Sequence, residues 1–300
     1  MPAAQKKPLA FLLGVTASHA FTVGPLLLSL RRHISRLDYE VIVISDDLAG
    51  KDADLISLFP ACRIIPYEPL IDLRPALPPD YPIHYLYRLE IFRLLESYKA
   101  AIWLDTDIAI QGDVAPLAGY GPFAMASPDN SFLKEGLTYR MGHNFFKPVE
   151  GYDMKAEFSN AGIMVARDSL PKPLKLYEWC MRTFEEHHPV LRLRDQALLN
   201  MFAQKFPELF RHFPADEYNC FPLKPASKLA KIVHCFGEAK FWNDGLMNLC
   251  FPEWQRDYQT WKMLGGSAYS GPVTNAGFTD QSTYQFMSAL LDRLNRALER

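Results

Sequence analysis

Hydrophobic and polar positions follow two alternating patterns in the first third of the chain. Short apolar runs of strand length come at Leu9–Val15, Glu40–Ser45 and Cys62–Pro66. Between the first two runs, Phe21–His33 carries apolar residues at helical spacing. This strand–helix–strand order predicts an α/β fold with a mainly parallel central sheet and right-handed crossovers.

The pattern then breaks and resumes. Leu70–Pro82 contains four prolines, so this segment is predicted to be irregular. His84–Tyr98 is predicted to form one amphipathic helix that leads into a strand at Ala100–Asp105. The apolar face of that helix is assigned to Leu86, Leu89, Phe92 and Leu95.

The rest of the chain is assigned by the same rules, with residues 1–264 as one domain and residues 265–300 as a separate tail. A polar, aromatic-rich stretch from Asp129 to Phe158 separates the first two of the later strands. The tail is predicted to be a flexible Gly/Ser linker followed by an amphipathic helix. The predicted strands are Phe123–Ser127, Ala161–Ala166 and Lys231–Cys235, the helices Lys172–His187 and Arg194–Phe206, the linker Gly265–Gly277 and the terminal helix Gln281–Arg300.

Composition narrows the class of protein only slightly. With 49% apolar and 22% charged residues the chain is typical of a globular protein, and a net charge of -2 gives no general attraction to nucleic acid. The five cysteines form no C-x-x-C pair, which favours reduced, mostly buried thiols in a cytoplasmic protein. The apolar run Leu9–Leu13 is too short for a signal peptide or for the ~18 apolar residues of a membrane helix.

Two carboxylates at the exit of a buried strand are the first candidate for chemistry. Asp105 and Asp107 close the apolar run Ala100–Leu104, where a turning backbone brings both side chains to one cation. Mg²⁺ and Mn²⁺ bind carboxylate oxygens and keep positions open for substrate phosphates. Open α/β sheets also bind ligands at the carboxyl ends of their strands. The alternative is a solvated turn or a helix cap.

A second candidate segment follows the strand near Val233. His234 offers an imidazole to the same cation, and Gly237 allows close approach of the backbone to a phosphate. Lys240 would neutralise a diphosphate, and Trp242 would wall the pocket. The alternative is a surface turn with a buried tryptophan anchor.

Five motifs follow one another along the chain: Tyr87-Arg88, Leu104–Asp107, Asn160–Gly162, Asp195-Gln196 and His234–Trp242. In this order they resemble glycosyltransferase family 8. That resemblance, which covers roughly residues 9–242, implies the GT-A fold, a Rossmann-like α/β fold with a small second sheet. Enzymes of this family are retaining, metal-dependent and use nucleotide sugars; they include bacterial lipopolysaccharide glucosyl- and galactosyltransferases, galactinol synthases and glycogenin.

The resemblance implies a reaction and its partners. It implies that Asp105, Asp107 and His234 bind Mn²⁺ or Mg²⁺, and the mixed carboxylate and imidazole set favours Mn²⁺. The donor would be UDP-glucose or UDP-galactose, and the acceptor a hydroxyl of a glycan or glycolipid, as in lipopolysaccharide biosynthesis. The expected location is the cytoplasm, including the inner face of the membrane.

Further site residues are implied position by position. Gly237 and Lys240 would bind the diphosphate, and Arg88 the donor sugar or a phosphate; a surface salt bridge is the alternative for Arg88. Asp129 and Asn160 would contact sugar hydroxyls. Otherwise Asp129 is a cap or turn residue and Asn160 part of a bulge or turn.

The catalytic assignment falls on one helix start. Asp195 would lie near the anomeric carbon and Gln196 would stabilise the cationic sugar, although a plain N-cap role for Asp195 competes. Retention requires either a covalent sugar–enzyme intermediate or attack on the face from which the leaving group departs; both stay open.

At the position expected to bind the nucleotide base, this chain departs from the pattern of its relatives. Relatives commonly end the first strand in an acidic or amide residue, whereas this chain has Val15–His19, which leaves Thr16 and Ser18 to bind the base. Asp46 and Asp47 are interpreted as caps of the next helix.

Two other functions are compatible with an acidic metal site. A nucleotidyltransferase would need a Gly-rich, basic phosphate loop near the N-terminus, which Gly14–Ser18 lacks. An inactive nucleotide-sugar-binding protein would not be expected to keep Asp105, Asp107, His234 and Lys240 together.

The tail raises the question of membrane contact. The last helix carries arginines at 293, 296 and 300, offset by acids at 292 and 299. Packing on the protein is therefore favoured over peripheral membrane binding, which stays the alternative.

Overall fold

The structure, a computed structural model, describes residues 5–34, 38–129 and 140–273. Within these ranges the strands form a seven-stranded sheet and a two-stranded sheet. The strands are β1 (Lys7–Gly14), β2 (Tyr39–Ile44), β3 (Cys62–Ile65), β4 (Tyr98–Leu104), β5 (Ile108–Ile110), β6 (Phe123–Ala126), β7 (Ile163–Arg167), β8 (Phe210–Phe213) and β9 (Ile232–His234).

Helices cover both faces of the large sheet. They are α1 (Val23–His33), α2 (Gly50–Ser57), α3 (Ile91–Leu94), α4 (Pro173–His187), α5 (Arg194–Lys205), α6 (Ala215–Tyr218), α7 (Gly245–Cys250) and α8 (Pro252–Met263). Short 3-10 helices lie at Ala17–Thr22, Arg74–Ala76, Ile83–Glu90, Ala115–Gly119, Met141–Asn144, His188–Val190 and Pro225–Lys228. No helix in the described ranges is long and apolar enough to cross a membrane.

The large sheet has the strand order β3-β2-β1-β4-β7-β6-β8. The pairs β3–β2, β2–β1, β1–β4 and β6–β8 are parallel, and β7 runs antiparallel to both of its neighbours. The predicted α/β fold with a mainly parallel sheet is therefore confirmed. Its parallel strands β1 and β4 end at the same edge, where Asp105 follows β4.

Alternate residues of β1 build the two halves of the core. Phe11 and Leu13 pack with α1, α2 and α8 on one face, and Ala10 and Leu12 pack with α4 and α5 on the other. A strand buried on both faces is apolar at nearly every position, as β1 and β4 are.

One predicted helix is wrong. His84–Tyr98 divides into a 3-10 helix at Ile83–Glu90 and the single turn α3, and Tyr98 already belongs to β4. The apolar residues chosen for its face recur every three positions, which fits the three residues per turn of a 3-10 helix better than the 3.6 of an α-helix. Tyr98 is the register partner of Lys7 in β1, and its hydroxyl donates to Glu40 Oε2 at 2.5 Å.

The other elements that were predicted from the sequence in the described ranges agree with the structure to within a few residues. Some elements of the structure were not predicted. The strands at β5 and β8 and the helices α6, α7 and α8 had no sequence assignment. The five cysteines are free thiols, and four of them are buried. The predicted terminal helix Gln281–Arg300, and the end of the linker, lie outside the described residues.

Asp46 and Asp47 do not cap α2. The residue before that helix is Ala49, which offers no side-chain oxygen. Asp46 instead accepts the backbone N–H of Tyr67 at 2.8 Å, and Asp47 accepts that of Ala17 at 2.8 Å. Asp47 thus fixes the turn that follows β1.

Candidate active site

The two strand-end carboxylates are anchored to different sheets. The backbone N–H of Asp105 donates to Gly162 O at 2.8 Å, just before β7 of the large sheet. Two residues later, Asp107 O accepts the N–H of Cys235 at 3.0 Å, just after β9 of the small sheet. The chain leaves one sheet at Leu104 and enters the other at Ile108, so both carboxylates lie at the junction.

His234 completes the cluster from the small sheet. It is the register partner of Ile108, and its ring is buried. Its Nε2 lies 3.0 Å from Asp107 Oδ1 and 3.9 Å from Asp105 Oδ2. Possible ligand atoms of Asp105, Asp107 and His234 all lie within 4.8 Å of one another.

Whether this cluster fits a metal depends on which ring nitrogen of His234 carries the proton. Nδ1 lies 2.7 Å from Asn219 Oδ1, which can only accept, so Nδ1 carries a proton and donates. In the neutral ring, Nε2 then presents a lone pair toward two carboxylates. That arrangement is unfavourable unless a proton or a cation lies between them. A buried imidazole oriented by an amide and facing two acids is a donor set suited to a divalent metal.

Lys240 supplies positive charge beside the cluster. Its Nζ lies 2.5 Å from Asp107 Oδ2 and 2.6 Å from the carbonyl oxygen of Cys235. Burial alone would raise the pKa of Asp107, but Lys240 and His234 hold that pKa well below its usual range. Asp107 is therefore an anion at neutral pH.

Asp105 has a different environment. Burial raises the pKa of its carboxyl group, Arg88 opposes that effect, and the charge of Asp107 adds to it. Arg88 NH2 and Trp103 Nε1 donate to the same oxygen, Oδ1, at 3.1 and 2.7 Å. The second oxygen, Oδ2, is left to face His234.

Arg88 joins the metal-site candidate to α5. Its Nε lies 2.7 Å from Asp195 Oδ2, and its NH1 donates to the carbonyl oxygen of Ala161 at 2.8 Å. Burial raises the pKa of Asp195 to about 6, although Arg88 acts in the opposite direction. The first helical residue of α5 is Arg194 and its N-cap position is Leu193, so Asp195 is not the N-cap.

The amide of Gln196 is oriented by three neighbours. Its Oε1 accepts from Asn160 Nδ2 at 3.3 Å and from the N–H of Ala161 at 3.4 Å. Its Nε2 donates to Asn144 Oδ1 at 3.3 Å. Asn160 Oδ1 in turn accepts the N–H of Gly162 at 2.9 Å, so this group turns the chain into β7.

These side chains surround a cavity of about 270 Å³. Gly237 is among its lining residues and has a φ of +97°, a conformation that L-residues rarely adopt. Of the residues singled out from the sequence, those lining the cavity are Arg88, Asp105, Asp107, Asn160, Asp195, Gln196, His234, Gly237 and Lys240.

A larger cavity of about 510 Å³ shares no lining residue with the first. It lies between α1, β5 and α8, and its central charges, Arg32 and Asp257, form an ion pair with each other. It contains none of the five sequence motifs, so the smaller cavity is the candidate active site.

Four other residues singled out from the sequence lie outside the lining of the smaller cavity. Thr16 and Ser18 hydrogen-bond to each other at 3.0 Å on the exposed turn after β1, and both contact His19 Nδ1. Asp129 pairs with Lys224 at 2.9 Å. Trp242 is buried against Phe21, so it is an anchor of the core and not the wall of this cavity.

Sequence reasoning missed several contributors. Trp103 lies two residues before Asp105, and the two-residue period of a strand would have placed both on one side. Asn144 ends the 3-10 helix Met141–Asn144 and Asn219 follows α6. Neither belongs to one of the five motifs, so the sequence carries no local signal for them.

Comparison with known proteins places the chain in a family. The profile described as "Glycosyl transferase family 8" matches residues 11–245, and the chain belongs to this family. The prediction of a hexosyltransferase of this family is thereby confirmed. No curated protein matches the sequence.

Solved structures agree on the fold. The galactosyltransferase LgtC, in complex with donor and acceptor sugar analogues, is 12% identical with a TM-score of 0.63, covering 85% of this chain and 99% of LgtC. The bifunctional glycosyltransferase WbbM is 15% identical with a TM-score of 0.61, over 88% of this chain and 52% of WbbM, so this chain spans about half of it. GlyE of Streptococcus pneumoniae TIGR4 is 16% identical with a TM-score of 0.57, covering 88% of this chain and 65% of GlyE. The predicted GT-A fold is thus confirmed.

Proposed function

We propose that this protein is a metal-dependent, retaining transferase that moves a hexose from UDP-glucose or UDP-galactose to a hydroxyl group of a glycan or glycolipid. The observation that carries this proposal is the convergence of Asp105, Asp107 and His234 on one point, with Lys240 beside them. Mn²⁺ fits this mixed oxygen and nitrogen set better than Mg²⁺ does. When bound, the metal would stabilise negative charge on the leaving diphosphate.

The chain's own residues divide the remaining work. Lys240 neutralises the diphosphate, and Gly237 permits its close approach. Arg88 binds Asp105 through NH2 and Asp195 through Nε, so the sugar would sit beside Asp195, next to the metal site, where Gln196 presents an oriented amide.

The ion pair with Arg88 bears on the route to retention. A carboxylate bound to a guanidinium is a weaker nucleophile, so the geometry favours stabilisation of the oxocarbenium-like sugar by Asp195 over covalent attack. The departing phosphate would then accept the acceptor's proton. Thr16 and Ser18 are assigned to the nucleotide base, and Asp129 and Asn160 to sugar hydroxyls.

The test is UDP release from UDP-glucose and UDP-galactose with Mn²⁺, with Mg²⁺ and with EDTA. We expect release with Mn²⁺ and loss of about 100-fold or more in Asp107→Asn and His234→Ala. Asp80→Asn, an exposed carboxylate change, is the control. NMR of the product's anomeric configuration tests retention. Metal-independent release, or neither binding nor release with any nucleotide sugar, would contradict the proposal.

The same protein separates the alternatives. Pyrophosphate release from a nucleoside triphosphate and a sugar 1-phosphate would indicate a nucleotidyltransferase. Tight binding of UDP-sugars without turnover would indicate an inactive binding protein.

Location and membrane contact form a separate part of the proposal. A glycolipid acceptor, as in lipopolysaccharide biosynthesis, would place the enzyme in the cytoplasm at the inner face of the membrane. The helix that would make this contact lies outside the described residues. Co-sedimentation with anionic vesicles, comparing the full chain with a truncation after Gly265, decides the point, because equal partitioning would reject the contact.

A further inference from the structure

Two arginines line the candidate active site directly before Asp195. Arg192 is exposed and Arg194 is half-buried, and both belong to the lining of the cavity. Within the described part of the chain, neither guanidinium has a carboxylate within 4 Å. By contrast, Arg88 and Lys240 in the same cavity are paired with acids. The rim therefore carries positive charge that the described side chains do not neutralise.

The backbone of Arg194 is strained at the point where its side chain joins the cavity lining. Its φ is +40°, in the left-handed region that disfavours residues with a Cβ. Such strain persists where the surroundings impose it, and it concentrates at functional sites. The guanidinium lies over the Tyr85 ring, with its Cζ 4.3 Å from the ring centroid, a favourable cation–π contact.

The segment that carries these arginines is held in place by hydrogen bonds to Asn144. The N–H groups of Arg192 and Leu193 both donate to the carbonyl oxygen of Asn144, at 2.7 and 3.0 Å. Asn144 is buried, and its side chain also binds Gln196. The rim is thus built on the same support as the catalytic candidate.

The position of the rim decides which substrate meets it. Lys240 and the metal-site candidates mark the diphosphate end of the cavity, and Asp195 and Gln196 mark the sugar end. Arg192 and Arg194 line the same cavity directly before Asp195 in the chain, and Arg192 is exposed to solvent, from which an acceptor must enter.

Resting on the proposed function, we infer that the acceptor carries an anionic group, a carboxylate or a phosphate, that Arg192 and Arg194 bind. A guanidinium recognises either group with two parallel hydrogen bonds. Tyr85, which stacks on Arg194, would present its ring to the acceptor sugar.

The test is calorimetric titration of protein saturated with Mn²⁺ and UDP, so that the diphosphate position is already filled. The probes are glucose, glucose 6-phosphate and glucuronate. We expect each anionic sugar to bind at least about tenfold more tightly than glucose, a difference of about 1.4 kcal/mol. Arg194→Ala and Arg192→Ala should each remove most of that preference, and Arg194→Lys should keep part of it.

Arg182→Ala is the matched control, because Arg182 is an exposed arginine on α4 outside the cavity lining. It should keep the full preference. The ratio of kcat/KM for anionic and neutral acceptors in each variant gives a second readout, in which general damage to catalysis cancels.

The outcomes separate this inference from the proposed function. If UDP does not bind with Mn²⁺, the proposed function fails. If UDP binds but neither anionic sugar binds better than glucose, or if Arg194→Ala and Arg192→Ala leave the preference intact, this inference fails alone. A preference for UDP-glucuronate over UDP-glucose that Arg194→Ala abolishes would move the anion to the donor and overturn the acceptor assignment.

Discussion

His234 owes its place to a residue without a side chain. A Cβ added at Gly162 would lie 2.1 Å from His234 Cε1 and 2.8 Å from its Nδ1. The ring can reach Asp105 and Asp107 only because this space is empty. Only Asn160 of the Asn160–Gly162 motif was assigned to sugar contact, and the structure shows that its glycine leaves the space that the His234 ring occupies.

Gly162→Ala should therefore damage the metal site without touching a ligand. We expect Mn²⁺ affinity to fall by about 10–100-fold, the range seen when the support of a ligating histidine is lost. Electron paramagnetic resonance of free Mn²⁺ measures this. Gly119→Ala, where an added Cβ meets nothing within 4 Å, should leave the affinity unchanged. Equal affinity in both variants would show that the ring does not need this space.

The ionised Asp195 carboxylate should lower the free energy of unfolding. Its folded pKa of about 6 lies above the ordinary 3.8, so its contribution is most favourable below pH 4 and is lost as pH rises through 6. At pH 8, Asp195→Asn should be more stable than wild type by about 1–3 kcal/mol, and the difference should vanish near pH 4. Urea unfolding of metal-free protein measures this.

The exposed Asp80 provides the comparison for that experiment. Asp80→Asn should give no pH-dependent difference from wild type. A stability gain for Asp195→Asn that is the same at pH 4 and pH 8 would rule out ionisation as the cause.

At the scale of elements, the small sheet positions Asp107 and His234, which the large sheet does not carry. β4 delivers Asp105, but Asp107 and His234 face each other because β5 and β9 pair antiparallel with Ile108 opposite His234. The sequence predicted β9 nearly to the residue. It gave no strand at β5, because three apolar residues after a turn are too short a pattern to assign.

The segment from His84 to Tyr98 was predicted as one helix, but its three-residue spacing belongs to a 3-10 helix. Leu86, Leu89, Phe92 and Leu95 repeat every three residues, and this spacing was interpreted as one amphipathic helix over His84–Tyr98. The 3-10 helix brings Arg88 under Asp105, where NH2 meets Oδ1 at 3.1 Å. The role of Arg88 as a clamp between two carboxylates was not predicted, because the sequence assigned Arg88 to the donor sugar or a phosphate.

The contact between α1 and α8 gives a prediction for elements. A Cβ at Gly24 would lie 2.2 Å from Trp261 Cε3, and the Trp261 ring is fully buried. Gly24→Ala should lower the free energy of unfolding by about 1–3 kcal/mol through overpacking. Trp261→Phe in the same chain should recover part of the loss, as a double-mutant cycle by urea unfolding would detect. Strictly additive effects would show that the two side chains do not meet.

At the scale of the molecule, the motifs were predictable because parallel strands end together. β1 and β4 place their following residues at one edge, and a pattern of strands and helices is enough to foresee that. The reversed direction of β7 and the path of the loop to Arg192 were not predictable, since both depend on packing between distant segments.

Ligands that bridge both sheets should stabilise the whole chain. At about 100 times its dissociation constant, a ligand adds about 2.7 kcal/mol. Mn²⁺ with UDP should therefore raise Tm by several degrees, measured by differential scanning calorimetry, and EDTA should abolish the shift. Asp107→Asn should show no shift. A shift with UDP that is indifferent to EDTA would contradict a metal-bridged site.

The junction at Asp105 and Asp107 also bears on how the protein folds. Asp105 follows a strand of the large sheet, Asp107 precedes a strand of the small sheet, and His234 lies on a strand far along the chain. Closing so long a loop is slow, and it precedes any gain from the contacts that it makes. The proposed ion can therefore stabilise only a chain whose long-range strand pairing is already complete. It would bind at the end of folding and would not nucleate it.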